Sequence, residues 1–420
     1  MPNLRFASAF SLKTDWSQAT LEVLSALEED WSGASKGFDG ATIGFVYASD
    51  GLSEELSSII TLLKTRTAIS CFCGTVGLGI GVMGRDSQGA FRTGEFYDVP
   101  CLSVMIASLP DGAFQPFQAH LKPEQSDITE IDRDLAANLP LEVPMFLDMR
   151  GNGLADWLEK QTPRLSMIHA DPRETELPSV FPELQKTLSC DLIGGLTSSR
   201  MEWPLVADTV QDGGFGGVIL NDAVGVMAGL TQGCSAIGEV HRVTGVDGTM
   251  LTSLDGRPAL DVLKEDVGEL LARDLRRLGG YVFVARRYQD EERAGHNQVS
   301  GGDYRVHHLL GITVETGELH LDISFAEGDE IFFCRRDNQA ARQDFYRMLD
   351  EMRSKLPSEP KGGIYISCIG RGRALFGPNS EEWSILNEEL GSIPMVGFYA
   401  SGEICGQQLY SYTGVLTLFY

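Results

Sequence analysis

Apolar runs of strand length alternate with helically spaced apolar positions through the first third of the chain. Arg5 to Phe10 predicts a strand. Asp15, with Gln18 three residues on, predicts a helix start, and Leu21, Leu24, Leu27 and Trp31 continue it at helical spacing to Gly33. Thr42 to Ala48 predicts a buried strand. Ser53 opens a second helix carrying Leu56, Ile59, Ile60 and Leu63, and the segment around Cys71 gives the next strand. Leu102 to Ala107 and Pro144 to Leu147 are expected to extend the sheet. This alternation predicts a layered α/β unit.

The grammar then changes. From Trp203 to Val246 short Val-rich and Gly-rich runs, broken by Gly213-Gly214-Phe215-Gly216-Gly217, predict antiparallel strands with tight turns. Asp261 to Leu278 returns to helical spacing, and Arg286 to Ser300, charged around Gly295, predicts a surface loop. Strands around Gly311 and Leu319 follow, then a helix from Asn338 to Leu356. In the last predicted helix Asn379 with Glu382 forms the cap, Trp383, Leu386 and Leu390 pack inward, and Gly391 ends the run. The expected fold class is mixed α/β (α+β): two layered α/β units with mixed sheets, related by a pseudo-two-fold. The boundary, placed between Gly225 and Gly233, gives units 1–228 and 229–420.

Composition narrows the function classes. The chain has 420 residues, enough for two cores, and 43% of them are hydrophobic against 22% charged, as in ordinary folded proteins. A formal net charge of -25 disfavours nucleic acid and anionic membrane surfaces as partners. The one basic cluster, Arg273-Asp274-Leu275-Arg276-Arg277, is short and carries its own acid. The N-terminus shows no apolar signal region, and no run approaches the roughly 20 apolar residues of a membrane helix. With 8 scattered cysteines, read as reduced thiols, a cytoplasmic location is expected.

Several motifs fail their context. Gly79-Ile80-Gly81-Val82-Met83-Gly84 matches a dinucleotide-binding spacing, but turn residues follow it where a helix must start, so it predicts a glycine-rich hairpin. Gly233-Cys234-Ser235-Ala236-Ile237-Gly238 places Ile237 where a nucleophile elbow needs glycine. Cys71 and Cys73 share a strand face without a second pair at zinc spacing and read as buried, inert thiols, with a pocket lined by Cys73 and Cys405 as the alternative. His307 and His308 are adjacent in a strand and point to opposite faces, so they cannot share a metal.

The informative segment is Pro394 to Ile404, an apolar strand that runs into Ser401-Gly402 and then the single carboxylate Glu403. Ala68 to Ile80, with Cys73-Gly74-Thr75, has the same grammar of an apolar strand followed by small residues. The two are expected to lie side by side as matching parts of two units. A buried Glu403 needs a cation or several donors, which a ligand ammonium, Arg371 or Arg373 can supply.

Ile369-Gly370-Arg371-Gly372, Ala374-Leu375-Phe376-Gly377, Pro394 to Ile404 and Tyr410 to Thr417 resemble the C-terminal part of the FIST (F-box and intracellular signal transduction) family. Gly194-Gly195, Val243-Thr244, Leu254 to Ala259, and Gly302 to Val306 leading to Leu310-Gly311-Ile312 resemble the same family in the expected order. The resemblance implies a cytoplasmic sensory module that binds a small metabolite, an amino acid among the candidates, without a cofactor. Output would pass through a separate protein such as a histidine kinase or a cyclase. The expected ligand-binding residues are Cys73, Gly74, Thr75, Gly194, Gly195, Arg371, Gly372, Tyr399, Ser401, Gly402 and Glu403, with Glu403 and Arg371 acting in recognition and contributing little to the fold. No catalytic constellation is recognisable. The alternatives are a haem-based nitric oxide sensor, as some FIST proteins resemble, and a hydrolase or transferase that uses Glu403 with a Ser or Cys.

Overall fold

A computed structural model describes residues 4–32, 37–121, 147–272, 281–287, 299–300, 304–379 and 381–420. Among the described residues the strands form one 13-stranded and two 7-stranded sheets. The fold is mixed α/β.

The 13-stranded sheet and one of the 7-stranded sheets are built from one recurring pattern. The strand Ile43–Ser49, the helix Leu56–Thr67 and the parallel strand Cys71–Gly77 are joined by the antiparallel strand Leu102–Ser108 on the far side of the first strand. The same arrangement recurs with Pro163–Ala170, Asp191–Leu196 and Phe215–Asn221, and again with Gly362–Cys368, Met395–Ala400 and Gly414–Phe419. The pattern thus occurs three times, where the sequence suggested two matching units. Ala68–Gly77 and Pro394–Glu403 do lie close, since Gly77 meets Phe398, although no backbone ladder joins their strands.

Each repeat brings its second strand against a carbonyl of the first. A methyl group built on Gly74 would come within 1.7 Å of the Val46 carbonyl oxygen, and one on Gly194 within 1.8 Å of that of Ile168. Both glycines also hold φ values closed to other side chains, +157° and +148°. Gly194→Ala is therefore expected to cost roughly 2–4 kcal/mol, from backbone strain and overpacking together. Chemical denaturation measures it, and a loss within experimental error would mean that the strand pair relaxes freely.

The large sheet and the sheet containing Pro163–Ala170 pack face to face. Phe45, Tyr47, Cys73, Ile366 and Phe398 from one meet Met167, Ile193, Val218 and Cys405 from the other in a single core. Helices cover the outer faces. Trp16–Ser32 and Leu56–Thr67 lie over the N-terminal half of the large sheet, and Asn338–Lys355 and Glu381–Leu390 over its C-terminal half. The helix Leu177–Leu188 backs the second sheet.

The chain leaves the large sheet after Val226–Thr231 and enters the third sheet with Cys234–Asp247. That strand pairs with both Glu330–Arg336 and Met250–Leu254, which closes a barrel. The helix Ala259–Ala272 buries Leu260, Val262 and Leu263 against the barrel interior. His241 is held between Asp255 and Asp266, at 2.7 and 2.8 Å.

Most predicted elements are present. Asp15 accepts a hydrogen bond from the Gln18 backbone at 2.8 Å and caps its helix. Arg286 and Arg287 belong to the strand Val282–Arg287, and Val299–Ser300 forms a short strand, so the ends of the expected loop are sheet. Gly33, residues 144–146, 273–278 and 288–298 lie outside the described residues. The described end of the expected strand at 144–147 begins Leu147–Arg150, in the second sheet.

The C-terminal strands do not stay within a C-terminal body. Met395–Ala400 pairs antiparallel with Gly79–Arg85, and Glu403–Cys405 pairs antiparallel with Asp191–Leu196. Both N-terminal strands thus carry C-terminal chain on one edge.

Candidate functional site

Where the strand Gly362–Cys368 ends, Gly370 and Gly372 bracket Arg371, and the short helix Gly372–Phe376 follows. The Arg371 side chain is 0% exposed, as are Glu382 and Glu403. A guanidinium so placed requires a counter-charge, and Glu382 supplies it: Arg371 Nε donates to Oε1 at 2.9 Å. The Tyr365 hydroxyl donates to the same oxygen at 2.6 Å, while Ser367 Oγ and the Gly372 backbone N–H donate to Oε2 at 3.0 and 3.1 Å. Arg371 Nη1 donates to the Tyr412 carbonyl at 3.4 Å, and Nη2 is buried with no partner.

Glu403 is a second fully buried carboxyl that feels the Arg371 charge. Its Oε2 accepts from Thr413 Oγ1 at 2.8 Å and from the Thr413 backbone at 3.2 Å, while Oε1 is buried with no partner. Burial pushes the carboxyl up to about 8, against the opposing pull of the Thr413 hydrogen bonds and the Arg371 charge. Because Thr413 donates twice to Oε2, the proton of the neutral acid belongs on Oε1. The nearby Cys368 thiol is pushed up by burial and by the Glu403 charge, so it is a poor nucleophile at neutral pH.

A third carboxyl joins from the N-terminal part of the chain. Glu95, on the strand Phe91–Tyr97, accepts a hydrogen bond from the Tyr399 hydroxyl, and burial pushes it up to about 7. The Tyr97 and Tyr399 rings lie 5.0 Å apart. Gly372 sits against both, at φ +43°, where any side chain would strike the Tyr97 hydroxyl.

Side-chain alternation along Met395–Ala400 sorts the sequence-predicted residues onto two faces. Tyr399 faces the helices, with Arg371 and Gly372. Phe398 faces the core between the sheets, where its ring stacks on Tyr47 at 5.2 Å. Cys73 and Thr75 belong to that second face. Cys73 Sγ lies 3.7 Å from His169 Nδ1, the Tyr47 hydroxyl meets His169 Nε2 at 3.0 Å, and Thr75 bonds the Thr197 hydroxyl at 2.6 Å. Burial holds His169 down at about 3, hence neutral, and raises the Cys73 thiol, so this cluster has neither base nor thiolate. Gly74 and Gly194 serve strand packing, as described above. Gly195 pairs with Glu403 in register, and Ser401 and Gly402 bond the Leu196 backbone at 3.0 and 2.8 Å. Arg371, Gly372, Tyr399 and Glu403 are thus brought together, with Gly195, Ser401 and Gly402 beside them on the backbone ladder, while Cys73, Gly74 and Thr75 lie behind the sheet.

Two readings are corrected. The ion-pair partner of Arg371 is Glu382, which the expected cap with Asn379 had assigned to the helix terminus. In the structure the Glu382 carboxylate turns inward, because a buried guanidinium, a tyrosine and a serine donate to it. Arg373 pairs with Asp98, at 2.5 Å, and not with Glu403. The residues missed were Glu382, Tyr365, Ser367, Thr413 and Glu95. Helical spacing was a signal for Glu382, which shares a face with Ile385 and Leu386.

Two open clefts lie elsewhere. One, of about 510 Å³, is lined by Gln232, Tyr304, Phe332, Asp344 and Arg347; the other, of about 440 Å³, by Arg164, Gln185, Asp191 and Asp222. No histidine lines either cleft, and the His169 and His241 ring nitrogens are engaged. Among the described residues no group of three or more His, Cys, Asp or Glu is placed to hold a metal ion, and no helix is long and apolar enough to cross a membrane.

The chain belongs to the FIST family, with a FIST N domain matched over residues 41–257 and a FIST C domain over 259–406. The family implies a role in sensing and signal transduction. Similar chains include an uncharacterized protein of Mycobacterium tuberculosis, 35% identical over 264 residues, an alignment covering 58% of this chain and 66% of the relative. An uncharacterized protein of Mycobacterium bovis is 35% identical over 236 residues, covering 54% and 60%. The chain thus spans less than two thirds of the length of the curated relatives it matches.

Proposed function

We propose that this chain is a sensory protein that binds a small polar metabolite against Arg371 and Glu403 and signals through a separate protein, such as a histidine kinase or a cyclase. The observation that carries the reading is the pair of orphaned polar atoms, Arg371 Nη2 and Glu403 Oε1, in two fully buried side chains of opposite charge type. Buried polar atoms without partners are costly, and a guest that bonds both removes that cost. Glu95 from the FIST N domain and Tyr399 from the FIST C domain close the far side, so occupancy of the site would be felt by both. Binding without chemistry is the favoured reading, because Cys73 and Cys368 are both held as thiols.

The test is a thermal-shift screen of small amino acids, carboxylates and polyols against the parent and Glu403→Gln. A compound that raises the melting temperature of the parent with concentration, and leaves Glu403→Gln unmoved, supports the site. A compound that stabilises both proteins equally places its binding elsewhere and overturns it.

A further inference from the structure

The site described above is closed, so a ligand needs a way in. The short helix Gly372–Phe376 covers Arg371, whose guanidinium lies 5.5 Å from the Phe376 ring. Glycines stand at both ends: Gly372 at φ +43° and Gly377 at φ +87°, with Gly370 just before. Backbone bonds from Ala374 and Leu375 to the Arg371 carbonyl and from Gly377 to that of Arg373 hold the turn locally.

What fixes this turn to the N-terminal part of the chain is an exposed run of alternating charges. Arg373 lies on the Tyr97 ring at 4.3 Å and pairs with Asp98 at 2.5 Å. Asp98 also takes Arg200 Nη1 at 3.1 Å, and Arg200 Nε bonds Asp50 at 2.8 Å. Asp98 is the middle member, and it holds a left-handed backbone conformation at φ +56°. Such conformations persist where the surroundings enforce them, and they gather at clamps and switches. Arg373, Asp98 and Arg200 are each about half exposed, so salt screens their attraction.

We propose that Gly372–Phe376 is a hinged cap over Arg371, latched to the FIST N domain by the Asp98 carboxylate and opened when that latch is released. The role as an entry to the site rests on the binding reading above; the latch itself does not. The cap differs from the rest of the fold in being joined across the two domains by screened charges and ring contact. The core strands on either side are joined by ladders of backbone hydrogen bonds.

Hydrogen exchange read by mass spectrometry tests this without any ligand. The informative variant is Asp98→Asn, because Asn tolerates the left-handed backbone as Asp does and only the charge is removed. Exchange of peptides spanning residues 372–378 is expected to accelerate on the order of tenfold in the variant, while the strand Gly362–Cys368 keeps the parent's rate. Salt at about 1 M, where the screening length is about 3 Å, should reproduce that acceleration in the parent and add nothing to the variant. Equal exchange in parent and variant overturns the latch, and so does a parallel acceleration over the whole chain. If the latch fails while Glu403→Gln still abolishes a ligand's thermal shift, the binding reading stands alone. If no compound binds, the exchange result still decides the latch.

Discussion

Glu382→Gln is expected to destabilise the ligand-free protein by about 3–5 kcal/mol, the usual cost of removing one partner of a buried ion pair. The change keeps the shape of the side chain and its acceptor oxygen, so packing against Trp383 and Leu386 is not disturbed. What it removes is the charge opposite Arg371, between two side chains that are both fully buried. The Tyr365 and Ser367 hydroxyls lose a charged acceptor in the same step, and hydrogen bonds to charged groups are the stronger kind. The comparison is Glu389→Gln, which breaks the partly exposed pair with Arg353 and should cost no more than about 1 kcal/mol. Urea unfolding of both variants at neutral pH decides the matter. A loss at Glu382 no larger than at Glu389 would mean that the Arg371 cluster is hydrated and open.

Glu403→Gln should act in the opposite direction. A carboxyl raised to about 8 in the folded state, from an ordinary 4.5, binds its proton more tightly folded than unfolded. Its contribution to stability is full below pH 4.5 and is lost as the pH rises through 8. At pH 7 most of that loss has occurred, on the order of 3 kcal/mol at 1.36 kcal/mol per unit. Gln offers a neutral donor in place of the protonated oxygen and does not titrate. The variant is therefore expected to match the parent near pH 4 and to exceed its stability at pH 7 to 8. Stability curves for both proteins across pH 4 to 8 test this, and parallel curves would show that Glu403 is ionised throughout.

The elements were legible in the sequence where local physics decides them. The helix at 338 begins where Asp337 accepts from the Ala340 backbone, and the strand at 43 is largely apolar because both of its faces are covered. The glycines at 79, 81 and 84 were read as hairpin glycines, and they lie on a strand paired antiparallel with Phe91–Tyr97; Gly81 leaves room for the Trp383 ring. The site was half legible. Strand alternation implied that Phe398 and Tyr399 face opposite ways, yet the direction of each face depends on which layer covers it. Glu95 joins Tyr399 only through a sheet pairing between positions some 300 apart in the chain. Glu382 was hidden for another reason: a carboxylate three residues after an asparagine satisfies a local rule, and the buried cation that claims it arrives from a different element.

The C-terminal strands laid on the edges of Gly79–Arg85 and Asp191–Leu196 bear on what a domain name means here. The two matched spans describe how the chain was inherited, whereas the hydrogen-bond ladders describe how it is assembled, and the two partitions differ. A fragment cut at the seam near residue 258 would keep its own helices and turns but present bare strand edges, those of Gly79–Arg85 and Asp191–Leu196 among them, each a template for another chain. Such a fragment is better regarded as an incomplete weave than as a smaller protein.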